Sequence, residues 1–165
     1  MKKIKISEKK AGIWIDQEKA FIVRVAGLSE PVVEKIKSGV ESIIRNKGEG
    51  KVSARFGNAF IDDQEKKQRR QKNQRLKYFK EIIEKIHDSD FIYLFGPSDA
   101  KHELNNEIEK THLFKGIVAA IEPADRMTEN ELKKKVIHFF EDDNFRVFKK
   151  DIKKQNTELK HKLTR

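Results

Sequence analysis

Two short apolar runs, each followed by a turn and a helical pattern, constrain the fold more than any other feature of the chain. They cover residues 91–95 and 116–121. A run that is apolar at every position is typical of a strand buried on both faces, as in a parallel sheet covered by helices. The helix-start residues that follow them are Ser98 or Asp99 with Glu103, and Thr128 with Glu131. The pattern predicts an α/β domain.

The N-terminal part of the chain carries strand patterns of a different kind. The apolar segment 11–15 and the β-branched segment 20–27 flank a polar turn, which predicts a β-hairpin. Segment 32–37 alternates and predicts a third strand, with 40–45 as a possible extension. Three initial antiparallel strands followed by αβαβα is the order of a ribonuclease-H-like architecture with a mixed sheet.

A long loop and a two-part helix connect these halves. Residues 46–60 hold three glycines and little periodicity, which predicts an exposed loop. A helix is expected from Asp62 or Asp63 to about His87, with an apolar stripe only from Leu76 onward. Residues 64–75 include no apolar side chain, so these turns cannot pack on a core and are expected to project toward solvent or a partner. Disorder of this segment is the alternative.

The net charge of +10 is concentrated in three segments. Residues 1–10 and 62–77 are each strongly basic, as is 149–165, whereas 78–148 is acidic overall. Clustered Lys and Arg beside an acidic body are the electrostatic signature of a polyanion-binding protein. For the two terminal segments, a purely solvating role is an equal alternative.

The length of 165 residues predicts one domain, and the chain has no cysteine. Absence of cysteine excludes disulfides, thiolate metal sites and a cysteine nucleophile. No apolar run is long enough for a membrane span, and the N-terminus lacks a secretory pattern, so a cytoplasmic protein is expected. The expected organisation is a basic N-terminal segment 1–10, a domain over 11–145 that includes a projecting loop and half-helix at 46–75, and a basic tail, or marginal helix, at 146–165.

Catalytic patterns are weak throughout. Asp16, at the end of the first strand, could contribute to a two-metal nuclease site, but the strand at 91–95 offers no second carboxylate. The five histidines show no metal-ligand spacing, and no phosphate-loop or serine-hydrolase motif is present. No catalytic residue, metal site or cofactor is therefore predicted.

The order of elements, together with the strand-turn-helix at 91–101, resembles the middle domain of eukaryotic and archaeal class-1 peptide release factors and of Pelota. In release factors the long loop displays Gly-Gly-Gln, followed by a stretch similar to Ser53-Ala54-Arg55-Phe56 here. The motif-equivalent residues in this chain are Gly48, Gly50, Lys51 and Val52, and the catalytic Gln is missing. The resemblance implies occupancy of an RNA-rich site, as in Pelota, without peptide release.

The resulting prediction is a non-catalytic, translation-factor-like domain that binds a ribosome or structured RNA through phosphate contacts, with no membrane and no small-molecule cofactor. Arg suits bidentate phosphate pairing and Lys acts as a point charge. The predicted contacts are Lys51, Arg55, Lys66, Lys67, Arg69, Arg70, Lys72 and Arg75. A protein-interaction module that docks an acidic partner is the alternative, and a metal-dependent nuclease built on Asp16 is a third.

Overall fold

A five-stranded mixed sheet forms the centre of the fold. In the computed structural model, residues 8–27, 29–40, 57–111 and 114–163 are described, with 57–63 and 157–163 as backbone only. The strands are β1 (Lys9–Ile15), β2 (Lys19–Ala26), β3 (Val32–Lys37), β4 (Phe91–Gly96) and β5 (Ile117–Pro123). Their spatial order is β3-β2-β1-β4-β5. Strands β1, β2 and β3 pair antiparallel, while β4 lies parallel to both β1 and β5. The predicted mixed α/β fold is confirmed.

Within the described residues, four helices cover the two faces of this sheet. They are α1 (Gly57–Ile86), α2 (Ala100–Lys110), α3 (Glu129–Glu141) and α4 (Asp143–Leu163). Alternate residues of β1 point to opposite faces, as the pleat requires: Ile13 and Ile15 pack with α1 and α2, whereas Trp14 packs with α3 and α4. The result is a three-layer arrangement with an apolar core on each side of the sheet.

Two glycines allow close approaches near the centre of the sheet. Gly12 of β1 faces Val136 of α3, and a Cβ on Gly12 would lie 2.1 Å from a methyl of Val136. Gly96 ends β4 with φ of +154°, where a Cβ would lie 2.1 Å from the carbonyl oxygen of Ile15. The turn after Gly96 is closed by Lys101, which is buried and donates to the carbonyl oxygen of Ser98 at 2.8 Å.

Helix starts agree with the sequence patterns only in part. The capping box of Thr128 and Glu131 is present at the start of α3. At α2, by contrast, Asp99 is itself in helical conformation and its side chain makes no capping bond, while Glu103 pairs with Arg75 instead of capping. Helix α1 starts at Gly57, five residues before the expected Asp62, so the expected loop over 46–60 is wrong for residues 57–60. A glycine in the first turn carries little of the penalty it has in a helix interior, which permits this start.

The C-terminal segment is a helix rather than a tail in the part that the structure describes. The boundary expected at residue 146 falls inside α4, which begins at Asp143. Phe145 is buried, and Phe148 and Ile152 pack against the same core cluster. These apolar residues, at i, i+3 and i+7, give the first half of α4 a face to bury, which stabilises it as a helix. Val40 lies outside β3, and the possible strand extension over 41–45 falls outside the described residues.

Candidate nucleic-acid interface

The first half of α1 extends beyond the sheet. The helix has 30 residues, about 45 Å at 1.5 Å per residue, whereas the six residues of β4 span only about 20 Å. Helix α1 ends next to the start of β4, where the amide of Ser89 donates to the carbonyl of Ile86. The helix must therefore run back along the sheet and leave it at the carboxyl end of β4.

Burial along α1 changes at Tyr78. Every side chain from Gln64 to Arg70 is exposed. The buried side chains begin only with the second half of the helix and are Tyr78, Phe79, Ile82, Ile83 and Ile86. The basic half therefore presents its side chains to solvent on a helix whose other half is embedded in the core.

An ion-pair network holds the embedded half of α1 against the edge of the sheet. Glu34 of β3 accepts hydrogen bonds from Lys85 Nζ at 2.6 Å and from Arg24 Nη1 at 2.9 Å. Arg24 also donates to the carbonyl of Lys85. The hydrogen bond from Lys85, and then that from Arg24, lowers the pKa of the Glu34 carboxyl below its ordinary value. The orientation of the projecting half is set by this anchored half.

The structure distinguishes among the predicted contacts. Lys66, Lys67, Arg69, Arg70 and Lys72 are all exposed. Arg69 has only a long contact of 3.9 Å with Glu65. Among the described residues, Lys67, Arg70 and Lys72 have no ion-pair partner. Among the predicted contacts on α1, these three are the most available to a phosphate.

Arg75 has a different environment from the other predicted contacts. Its Nη1 lies 3.0 and 3.2 Å from the two carboxylate oxygens of Glu103 on α2. Both side chains are a little more than one-third exposed. Arg75 therefore ties α1 to α2, at the point where the helix leaves the body.

A cleft of about 450 Å³ lies between α1 and α2 beside this pair. Its floor contains Phe79 and the partly exposed Leu76. Its polar lining is Gln68, Gln71, Lys72 and Arg75 from α1 and Glu103, Asn106, Glu107 and Lys110 from α2. Sequence reasoning missed this cleft, although Gln68, Gln71 and Arg75 continue the helical spacing of the apolar stripe and could have indicated a polar groove on that face.

The predicted loop contacts Lys51 and Arg55 lie outside the described residues, as do the motif-equivalent residues Gly48, Gly50 and Val52. The structure therefore describes the helical part of the predicted interface and not the loop part.

Asp16 has a structural role in the turn between β1 and β2. Its Oδ1 accepts hydrogen bonds from the backbone amides of Glu18 and Lys19, both at 2.8 Å. Nearby, Tyr78 is buried and its hydroxyl has no partner; burial, with a smaller effect of the Asp16 charge, raises the Tyr78 pKa. The described residues hold no group of three or more His, Asp or Glu side chains that could bind a metal ion. In the same part of the chain, no helix is both long and apolar enough to cross a bilayer.

No protein-family model matches the chain, and no curated protein matches it. Among solved structures, the chain is similar to an archaeal translation termination factor, aRF1, with 14% sequence identity and a TM-score of 0.49 over 94% of this chain and 41% of that one. It is also similar to the Pelota protein of Thermoplasma acidophilum, with 15% identity and a TM-score of 0.45 over 84% of this chain and 33% of that one. The chain thus spans less than half the length of either protein. They are the two kinds of protein that the sequence motifs resemble.

Proposed function

We propose that this protein is a non-catalytic, translation-factor-like domain that associates with RNA or the ribosome, and that the exposed half of α1 binds the phosphate backbone. The observation that carries the proposal is the position of Lys67, Arg70 and Lys72. They lie on the half of α1 that leaves the sheet, and they have no ion pair with a described residue. A phosphate can therefore approach them without breaking an existing contact or leaving a buried charge unpaired.

The charge distribution favours a polyanion over a neutral partner. The chain carries a net charge of +10, while residues 78–148 are acidic overall. A nucleic acid that approaches this molecule is attracted to the basic helix and repelled by the body, which orients the encounter. The sequence resemblance to release-factor and Pelota middle domains makes ribosomal RNA the first candidate. In this proposal Lys51 and Arg55 of the predicted loop extend the same contact surface.

Binding of this kind has a defined dependence on salt. Each phosphate neutralised by Lys or Arg releases condensed counterions, and the logarithm of the affinity falls by about 0.7–0.9 per phosphate for each tenfold rise in salt. The test is co-sedimentation with ribosomes and binding of a structured RNA, between about 50 and 300 mM salt. We expect a straight line on a double-logarithmic plot, with a slope that corresponds to several phosphates.

Two charge-reversal variants make the test specific to α1. The α1 variant combines Arg70→Glu with Lys72→Glu, and the body variant combines Lys37→Glu with Lys134→Glu. All four side chains are exposed, and both variants change the net charge equally. We expect the α1 variant to lose two phosphate contacts, which reduces the salt slope by about 1.4–1.8. The body variant should leave the slope close to that of the wild type.

Equal slopes in the two variants would refute the proposed surface. A different result would favour the alternative of a protein-interaction module. In that case the wild type does not bind RNA, but it binds an acidic protein that the α1 variant no longer binds. Cleavage of the RNA that depends on Mg²⁺ or Mn²⁺ would contradict the non-catalytic assignment.

A further inference from the structure

The helix α4 carries a second basic surface, at the opposite edge of the sheet from the projecting half of α1. Strands β1, β4 and β5 are parallel, so their amino ends share one edge. Phe145 of α4 packs on Phe91 at the start of β4, with ring centroids 5.2 Å apart. Lys149 of α4 pairs at 2.6 Å with Glu8, which precedes β1. Helix α4 is therefore fixed at the amino edge.

A cleft of about 540 Å³ confirms the course of α4 along this edge. Ile152, Lys153 and Asn156 of α4 line it together with residues at the amino ends of β1, β4 and β5 and at the end of α1. Those residues include Glu8, His87, Asp88, Phe91 and Ile117. The projecting half of α1, by contrast, leaves the sheet at the carboxyl edge. Arg70 is 16 residues before Ile86, which places it roughly 24 Å along the helix from the amino edge.

The outward face of α4 is basic. Phe145, Phe148 and Ile152 turn toward the core, so the helical period directs residues 146, 150 and 154 away from it. Those three are Arg146, Lys150 and Lys154, and all are exposed. They follow one another at i, i+4 and i+8, so they are neighbours on one face.

The cations on this face are available to bind a new anionic partner. Arg146 pairs at 2.9 Å with Asp143, but both side chains are mostly exposed, so this pair contributes little to stability. Lys150 and Lys154 have no ion pair with a described residue. Val147 lies beside them and is 55% exposed.

We propose that the outward face of α4 is a second site for nucleic-acid phosphate backbone, and that one protein molecule bridges two separate RNA segments. The two basic surfaces lie at opposite edges of the sheet, with Arg70 roughly 24 Å along α1 from the amino edge. Each surface therefore takes its own segment. The bridging part of this inference rests on the proposed function of α1, whereas binding at α4 does not.

The experiment compares three double variants with the same change in net charge. The α4 variant combines Lys150→Glu with Lys154→Glu; the α1 variant and the body variant are those defined above. Each is assayed for binding of one fluorescent RNA hairpin and for capture of that hairpin on beads that carry a second, unlabelled hairpin. Circular dichroism checks that α4 keeps its helix content.

We expect the wild type and the body variant to capture the second hairpin. The α1 and α4 variants should each still bind a single hairpin, with affinity reduced at least threefold, and each should lose capture. If the α4 variant binds and captures as the wild type does, the inference is wrong and the proposed function stands. If the α4 variant alone loses binding, α4 is the RNA site and the proposed function of α1 fails.

Discussion

Glycine is required at position 12 by the close approach of α3 to β1. A Cβ on Gly12 would lie 2.1 Å from Cγ2 and 2.8 Å from Cγ1 of Val136. Carbon atoms in van der Waals contact are about 3.5–4.0 Å apart, so Val136 or the whole of α3 has to move by more than ~1 Å. Val136 is completely buried, and a packed interior offers no space for that movement.

The substitution Gly12→Ala is therefore expected to destabilise the protein. Overpacking of a core costs ~1–3 kcal/mol, and a displacement of this size corresponds to the upper part of the range. Loss of glycine's freedom in the unfolded chain offsets ~0.4–1 kcal/mol of the cost. The free energy of unfolding should fall by ~1–2.5 kcal/mol, which lowers the melting temperature by ~3–8 °C for a chain of this size.

A double-mutant cycle separates this clash from a general effect of alanine in the strand. Val136→Ala removes the two methyl groups that the new Cβ would meet, at its own cost of ~1–3 kcal/mol for the cavity. With both changes, urea unfolding should show at least ~1 kcal/mol less destabilisation than the sum of the single variants. Additivity within ~0.5 kcal/mol, as for sites that do not touch, would refute the close packing of α3 on β1.

The sheet and its helices follow from patterns that are local in the sequence. The run Phe91–Phe95 is apolar at every position because β4 lies between β1 and β5 and is covered by helices on both faces. The alternation in Val32–Lys37 marks β3, an edge strand with one buried residue, Ile36. Burial on two faces and burial on one face produce different periodicities, and the sequence displays both.

The nature of the C-terminal segment was harder to predict because its apolar anchors lie on both sides of the domain boundary expected at residue 146. Considered from residue 149 onward, the segment offers only Ile152, Leu159 and Leu163 as apolar residues. The structure adds Phe145 and Phe148, which pack in the same cluster as Ile152. A basic helix with such anchors is held by tertiary packing, which intrinsic propensity does not reveal.

The role of Arg75 depends on information that no local pattern holds. In the sequence it is one of a series of basic residues on a polar half-helix. In the structure its partner Glu103 is 28 positions away, on α2. Which cation of a basic helix is already paired depends on the packing of a neighbouring helix, so sequence reasoning could name the basic residues of the helix but not say which of them has a partner.

Two further predictions concern the groups that hold α1. Arg75→Gln should reduce RNA affinity less than Arg70→Gln does, because Arg75 pairs with Glu103. Either Arg75→Glu or Glu103→Arg alone should lower the stability measured by urea unfolding. The two changes together exchange the charges and should restore that stability. Glu34→Gln should lower the melting temperature at pH 7 by ~1–4 °C, for the loss of ~0.5–1 kcal/mol from a partly exposed ion-pair network. The Glu34 pKa is lowered from 4.5 by Lys85 and Arg24, so the carboxylate stabilises the fold above pH 4.5, and this contribution is lost as the pH falls through the lowered value. The difference in melting temperature between wild type and Glu34→Gln should therefore shrink below pH 4.5 and vanish once Glu34 is protonated in the folded protein. An equal difference at pH 7 and pH 3 would mean that the shape of the side chain, and not its charge, anchors α1 to the sheet.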